Sequence, residues 1–256
     1  MKTVYMKLLS LIALLLFQTL HSCSAGDSAP VTPRSSSNAS YAVPPYAPVV
    51  PTKVTWNSGR KDLKIIALTF DDGPQPQNTP RLLDMLKQRN VKATFFAIGR
   101  SVDLYPKIAK RIVDEGHEIG NHTYTHGNLS KMDEAGIRKE LDRGRDAIIR
   151  ATGVSPRLVR PPYGALYSNQ RQWVLDNYGY PTILWNVDPM DWKVRNADIV
   201  SSRLIKGANQ GGILLAHDLH KTTIDAMPRT LDALLSQGYK FVTVSELISL
   251  TLQAPQ

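Results

Sequence analysis

The run Lys64-Ile65-Ile66-Ala67-Leu68-Thr69-Phe70-Asp71-Asp72-Gly73-Pro74 sets the class of architecture. Ile65 to Phe70 is an unbroken apolar and β-branched segment, stopped abruptly by two carboxylates and a Gly-Pro pair. A run with no polar face reads as a strand buried on both sides, and the Gly-Pro pair reads as a turn. Strands buried on both faces belong to parallel sheets covered by helices.

The chain downstream agrees. Thr79 to Arg89 has helical spacing at Leu82, Leu83 and Leu86, and Ala93 to Ile98 reads as the next strand. Val102 to Glu115 is expected to be one helix, with further helices over Met132–Ala151 and Thr223–Gln237. Glu118–Asn121, Leu158–Arg160, Thr182–Trp185, Gly212–His217 and Lys240–Val244 complete a set of seven expected strands. Alternating strands and helices imply an α/β fold with a parallel sheet. Seven strands suit a barrel-like closure, and spacing alone leaves an open doubly wound sheet as the alternative.

Upstream, the chain changes character. Lys2 and Lys7 precede and flank a short apolar stretch, Leu8 to Phe17, and small residues follow at Ser22, Ser24 and Ala25, the anatomy of an export signal over 1–22. The chain's single cysteine, Cys23, follows Leu20-His21-Ser22 and resembles the lipidated first residue of a bacterial lipoprotein. Residues 23–56 are rich in Ser, Ala and Pro and read as a tether, so one folded domain is expected over 57–256. The chain of 256 residues carries a formal charge of +9; losing Lys2 and Lys7 leaves 29 basic residues against 22 acidic. That balance suits an anionic envelope polymer, whereas no nucleic-acid-binding motif is present and no nucleic-acid partner is expected.

In parallel α/β folds, sites form at the carboxyl ends of strands. The ionisable residues cluster there: Asp71 and Asp72 after the first strand, and His122 and His126 after the third. Arg160 and Tyr163 follow the fourth, Asp188 and Asp191 the fifth, and His217 ends the sixth. Two histidines four apart with a nearby carboxylate can bind a metal and leave positions open for water and substrate. The adjacent Asp71-Asp72 pair repels itself unless a cation or an arginine neutralises it.

Thr69-Phe70-Asp71-Asp72-Gly73-Pro74, His122-Thr123-Tyr124-Thr125-His126, Arg160-Pro161-Pro162-Tyr163-Gly164, Asp188-Pro189-Met190-Asp191-Trp192 and Leu215-Ala216-His217 resemble, in order, the five motifs of the NodB-homology polysaccharide deacetylases, carbohydrate esterase family 4. The resemblance implies a single catalytic domain with a distorted (β/α)7-type barrel and a hydrolase that removes N-acetyl groups from a polysaccharide. It implies one divalent ion, zinc or else cobalt or another, held by Asp72, His122 and His126. Asp71 would be the general base, oriented by Arg160. The Tyr163 backbone N–H would bind the oxyanion, and His217, oriented by Asp191, would be the general acid. Trp192 and Leu215 would wall the acetyl-methyl pocket. Expected substrates are peptidoglycan, chitin oligomers or poly-N-acetylglucosamine, and the exported protein is expected either lipid-anchored to the cell envelope, with a membrane contact through a lipid on Cys23, or periplasmic or extracellular after ordinary signal cleavage.

An acetyl-ester O-deacetylase of the acetylxylan type is the second enzyme reading, since both reactions pass through a tetrahedral oxyanion. A non-catalytic glycan-binding lipoprotein is the reading from another class. It predicts loss of a ligand, base or acid, and Asp71, Asp72, His122, His126 and His217 are all present. His117, His220, Trp173, Trp185 and Asp218 are read as mainly structural, and Asp188 belongs either to the site or to the turn before Pro189.

Overall fold

The computed structural model describes residues 53–253. The expected export signal, Cys23 and nearly all of the tether lie outside the described residues.

The buried run forms β2, Ile65–Asp71, with every residue buried. It lies at the centre of a parallel sheet. β2 pairs with β3, Thr94–Ala97, and β3 pairs with β4, Glu118–Asn121. On its other side β2 pairs with β6, Gly212–His217, in a register that sets Asp71 opposite His217. The amino end of β2 also meets β7, Lys240–Phe241. A two-residue pair, β1 (Thr55–Trp56) with β5 (Thr182–Ile183), forms the opposite wall. Single bridges close the ring: Asn121 to Val159, Val159 to Thr182, and Val187 to Leu214. The result is a distorted barrel, and closure excludes the open doubly wound sheet.

Seven strands are present among the described residues, though not the seven expected. Leu158–Arg160 supplies only the bridges at Val159. Pro156 ahead and Pro161-Pro162 behind cannot donate to a ladder, so the segment cannot lengthen into a strand. The unexpected β1 starts two residues before the expected boundary at 57 and carries Trp56, buried at 3% exposure, into the body. β7 stops at Phe241 because Thr243 and Glu246 form a reciprocal capping box that starts a helix at Val244.

Eight α-helices among the described residues cover the barrel. α1 (Asn78–Gln88) and α7 (Lys221–Ser236) pack over one face with α6 (Ala197–Gly207), burying Leu82, Leu83, Leu204, Leu231 and Leu234. The expected helix over Val102–Glu115 is two, α2 (Gly99–Leu104) and α3 (Pro106–Asp114). Pro106 starts the second and forces Tyr105 out of helical geometry, at φ −128° and ψ 54°. α4, Glu134–Thr152, starts on the Asp133 side chain, which accepts from the Gly136 N–H at 2.8 Å. α5 (Ser168–Tyr178) and α8 (Val244–Leu252) complete the shell, and α8 buries Leu247 and Ile248 beneath the barrel. No helix among the described residues is long and apolar enough to cross a membrane.

Candidate active site

The carboxyl ends of β2, β4 and β6 and the segments after Val159 and Val187 converge on one cleft of about 410 Å³. Eight of the ten expected site residues line it: Asp71, Asp72, His122, His126, Tyr163, Trp192, Leu215 and His217. Arg160 and Asp191, both with 0% exposure, lie directly behind.

Asp72, His122 and His126 each bring one ligating atom into a group no wider than 4.8 Å. The Asp72 Oδ1 lies 3.4 Å from the His122 Nε2 and 3.2 Å from the His126 Nε2. This oxygen is buried and makes no hydrogen bond. A buried carboxylate oxygen without a partner is costly unless something positive meets it. The His122 Nδ1–H donates to the Arg160 carbonyl at 2.7 Å, which leaves its Nε2 as the free lone pair. Burial acts to raise the Asp72 pKa, yet the two imidazoles outweigh it and hold the carboxyl far below the usual carboxylate range. Burial acts to lower the His122 pKa, and the two aspartates and the Arg160 carbonyl outweigh it in turn, raising it. An unpartnered carboxylate oxygen and two imidazole nitrogens facing one centre fit a divalent cation, and this set of three leaves coordination positions free.

Asp71 faces the same cleft but is engaged elsewhere. Its Oδ1 accepts from the Arg160 Nη1 at 2.7 Å. Arg160 also donates to the Thr69 hydroxyl at 2.7 Å and to the Ile183 and Leu184 carbonyls at 3.2 Å. Its guanidinium lies 4.1 Å from the Phe96 ring centroid. Asp71 is thus a fixed carboxylate, its Oδ2 3.8 Å from the His122 Nε2.

Across the cleft, the His217 Nδ1–H donates to the Asp191 Oδ1 at 2.7 Å. Asp191 also accepts from the Trp192 and His217 backbone N–H groups and from the Thr223 hydroxyl. Burial acts to lower the His217 pKa, but the Asp191 hydrogen bond and charge outweigh it, pushing it up to about 9. His217 therefore presents a proton to the cleft from its Nε2 at neutral pH.

Tyr163 is held at φ 62°, and its N–H meets no backbone carbonyl among the described residues. The residue is 70% exposed, and its ring lies 4.9 Å from that of His126, centroid to centroid. Leu215 is buried, while Trp192 is 48% exposed, so the two form an apolar wall with an open rim. Six non-glycine residues in the described chain have positive φ, and Asp72, Thr123, His126, Tyr163 and Met190 all belong to site segments. Each such backbone costs about 1–3 kcal/mol, and strain of this kind persists where surroundings over-determine it.

Sequence reasoning placed several residues incompletely. Trp185, read as core, packs in the core, lies 5.6 Å from the Arg160 guanidinium, and also lines the cleft. Asp188 both lines the cleft and accepts from the Met190 N–H at 2.7 Å. Asp218 is fully buried under the Asp-Asp-Gly turn: it accepts from the Thr79 hydroxyl, and a Cβ on Gly73 would strike its carboxylate. Burial pushes its pKa up to about 7. His117 packs as expected, its Nδ1 accepting from the Ala93 N–H at 3.2 Å and its ring edge-on to Phe95. Glu140, unremarked in the sequence, binds the loop between the two histidines. It stands on the buried face of α4 with Ile137, Leu141 and Gly144, and a charge within an apolar stripe was the available signal.

Fold and site together define a distorted (β/α) barrel with a candidate two-histidine, one-aspartate metal centre at its carboxyl rim. The family model described as polysaccharide deacetylase matches residues 58–183. Over 193 residues, 75% of this chain, the protein is 46% identical to the peptidoglycan-N-acetylglucosamine deacetylase of Listeria monocytogenes, covering 41% of that protein. It is 41% identical over 185 residues, 72% of the chain, to the peptidoglycan-N-acetylmuramic acid deacetylase of Bacillus subtilis, covering 38% of it. The chain thus spans about two fifths of the length of these relatives. The crystal structure of a peptidoglycan N-acetylglucosamine deacetylase matches with a TM-score of 0.73 at 37% identity, over 76% of this chain and 92% of that one. The chain belongs to the polysaccharide deacetylase family.

Proposed function

We propose that the protein hydrolyses the N-acetyl groups of N-acetylated sugars in peptidoglycan. The observation that carries this reading is one cleft holding an orphaned Asp72 oxygen between two imidazole nitrogens, flanked by a carboxylate fixed by Arg160 and an imidazole kept protonated by the Asp191 carboxylate that accepts its Nδ1–H. Peptidoglycan is favoured over other N-acetylglucosamine polymers by the names of the relatives and by the basic charge balance.

In this mechanism Asp72, His122 and His126 hold a divalent cation, zinc being the first choice. When bound, such a cation supplies Lewis-acid polarisation and lowers the pKa of water. Asp71 takes the proton of the attacking water, and Arg160 keeps its carboxylate aimed at the cleft. The Tyr163 N–H donates to the oxygen that becomes negative as water adds to the acetyl carbonyl. His217 delivers its Nε2 proton to the departing nitrogen as the carbon–nitrogen bond breaks, giving acetate and a free amine. Trp192 and Leu215 enclose the acetyl methyl. Asp191 plays the orienting role of a buried carboxylate behind a histidine, fixing tautomer and charge.

The relative that acts on N-acetylmuramic acid supports a second reading of the sugar. The full chain, tested on purified peptidoglycan after chelation and again after zinc is restored, should release acetate only when loaded. Identifying the amino sugar in the digest then separates glucosamine from muramic acid. Release from acetylxylan alone would move the assignment to the ester reading, and no release from any glycan would favour the binding lipoprotein. Lipidation of Cys23 belongs to the same proposal, and mass spectrometry of the mature amino terminus tests it.

A further inference from the structure

We propose that Glu140 on α4 is a positioning residue for the metal-binding loop: its carboxylate locks the backbone between His122 and His126 so that both imidazoles aim at Asp72. The inference rests on the reading of Asp72, His122 and His126 as a metal set.

The two histidines come from different structural settings. The His122 N–H donates to the Ala97 carbonyl at 3.0 Å, continuing the β3–β4 ladder, so the sheet places this residue. His126 lies at the far end of a loop in which Thr123 and His126 both have φ 65°. Such a loop does not hold its shape by local preference, so its hydrogen bonds must hold it.

Nearly every bond in it can be assigned. The Thr123 N–H donates to the Asn121 side chain, and the His126 N–H to the Thr123 hydroxyl. The Thr123 and Tyr124 carbonyls accept from the Gly99 and Arg100 N–H groups at the start of α2. The two central donors have no backbone partner. The Tyr124 N–H at 3.0 Å and the Thr125 N–H at 2.8 Å both donate to the Glu140 Oε2, and the Thr125 hydroxyl donates to Oε1 at 2.9 Å. Bonds from backbone amides to a carboxylate are charge-assisted and short, and here a single side chain spans the centre of the loop.

Helix α4 is built to reach it. Gly144, one turn beyond Glu140, faces the same loop, where an added Cβ would lie 2.4 Å from the Asn121 Oδ1 and 3.1 Å from the Thr123 carbonyl. The Asn121 Nδ2 also donates to the Leu141 carbonyl of α4 at 2.9 Å. The missing side chain at 144 brings the helix close, and Glu140 is the group delivered.

The test measures zinc affinity of the full chain by competition with a chromogenic chelator, with the visible spectrum of the cobalt form as the second readout. Glu140→Ala should weaken zinc binding about tenfold to a hundredfold, the range seen when a supporting partner of a metal site is removed. Its cobalt spectrum should change as well. Glu140→Gln keeps an oxygen for the two amides and should bind zinc nearly as the native chain does. If Glu140→Ala does not fold, Glu140→Asp, which withdraws the carboxylate by one methylene, carries the same expectation. A folded Ala or Asp variant with native affinity and spectrum overturns the proposal, as does a Gln variant no better than Ala. If Glu140 were purely stabilising, its removal would lower the unfolding temperature and leave both metal readouts in place. His126→Ala is the control: if it binds zinc like the native chain, the metal reading itself fails, and this proposal with it.

Discussion

Replacing Asp191 by Asn isolates what a buried carboxylate does for the imidazole beside it. In the native protein the Asp191 hydrogen bond and charge overcome the burial of His217 and carry its pKa from 6.5 to about 9. The amide keeps the shape but loses the charge, so burial is opposed only by the smaller contributions of Asp71 and Asp72, and the imidazole pKa should fall back toward 6.5. The difference corresponds to about 3 kcal/mol in favour of the imidazolium. At pH 8 the protonated fraction of His217 should fall about thirtyfold. The assay is kcat/KM against pH on a soluble chitin oligomer, whose alkaline limb reports the pKa of the acid in the free enzyme. A bound cation offsets the smaller share contributed by Asp71 and Asp72, so the native limb should lie somewhat below 9 and still move down on substitution. Stability supplies an independent check. The raised His217 pKa contributes stability that is full below 6.5 and lost as pH rises through about 9. The lowered Asp191 pKa contributes stability that is present above 3.8 and lost as pH falls through its folded value. The stability gap between native and variant should therefore be widest between these two limits and narrow toward pH 9. An alkaline limb that stays in place in a folded, zinc-loaded Asp191→Asn variant would refute the assignment of His217 as the acid poised by Asp191.

Asp71→Asn should retain zinc and lose nearly all turnover, read as unchanged metal content beside a kcat reduced by about a hundredfold or more. His126→Ala should weaken zinc binding itself in an equilibrium titration. Arg160→Met removes every donor from a fully buried cluster and leaves Asp71 uncompensated, so unfolding in urea should reveal a loss of about 3–5 kcal/mol; a smaller loss would mean that Asp71 is hydrated in the variant. Glu118 is buried at the opposite end of the barrel, where it accepts from Thr94 and Ser245, and burial pushes its pKa up to about 7. Its raised pKa means that native stability should decline as pH rises from 4.5 through 7. Glu118→Gln should flatten that decline in thermal unfolding scans.

Much of the site was legible because its chemistry is local in sequence. A paired Asp71-Asp72 at a strand end, two histidines four apart, and Arg160 before two prolines are patterns that short stretches of residues carry by themselves. The strands were legible where burial on both sides removes all polarity, as in Ile65 to Phe70. Boundaries set by capping or by proline were misplaced. Thr243 and Glu246 turn an expected strand end into a helix start, Pro106 cuts one expected helix into two, and Pro156 and Pro161 reduce a strand to a bridge. Each of these signals was present in the residues and concerns a hydrogen bond that a local pattern of hydrophobicity does not count.

By itself, then, the sequence determined the α/β class, the parallel strand at the centre and the identity of the ionisable groups at its rim, because these depend on periodicity and composition over a few residues. Only the tertiary structure decided that the sheet closes, since closure depends on single bridges at Val159 and Val187 between segments far apart in the chain. It alone brought Glu140 onto the histidine loop, set Asp218 beneath Gly73 and turned Trp185 toward both the core and the cleft. A side chain's role in a site is fixed by which distant backbone it reaches, and that distance exists only once the helices have packed on the barrel.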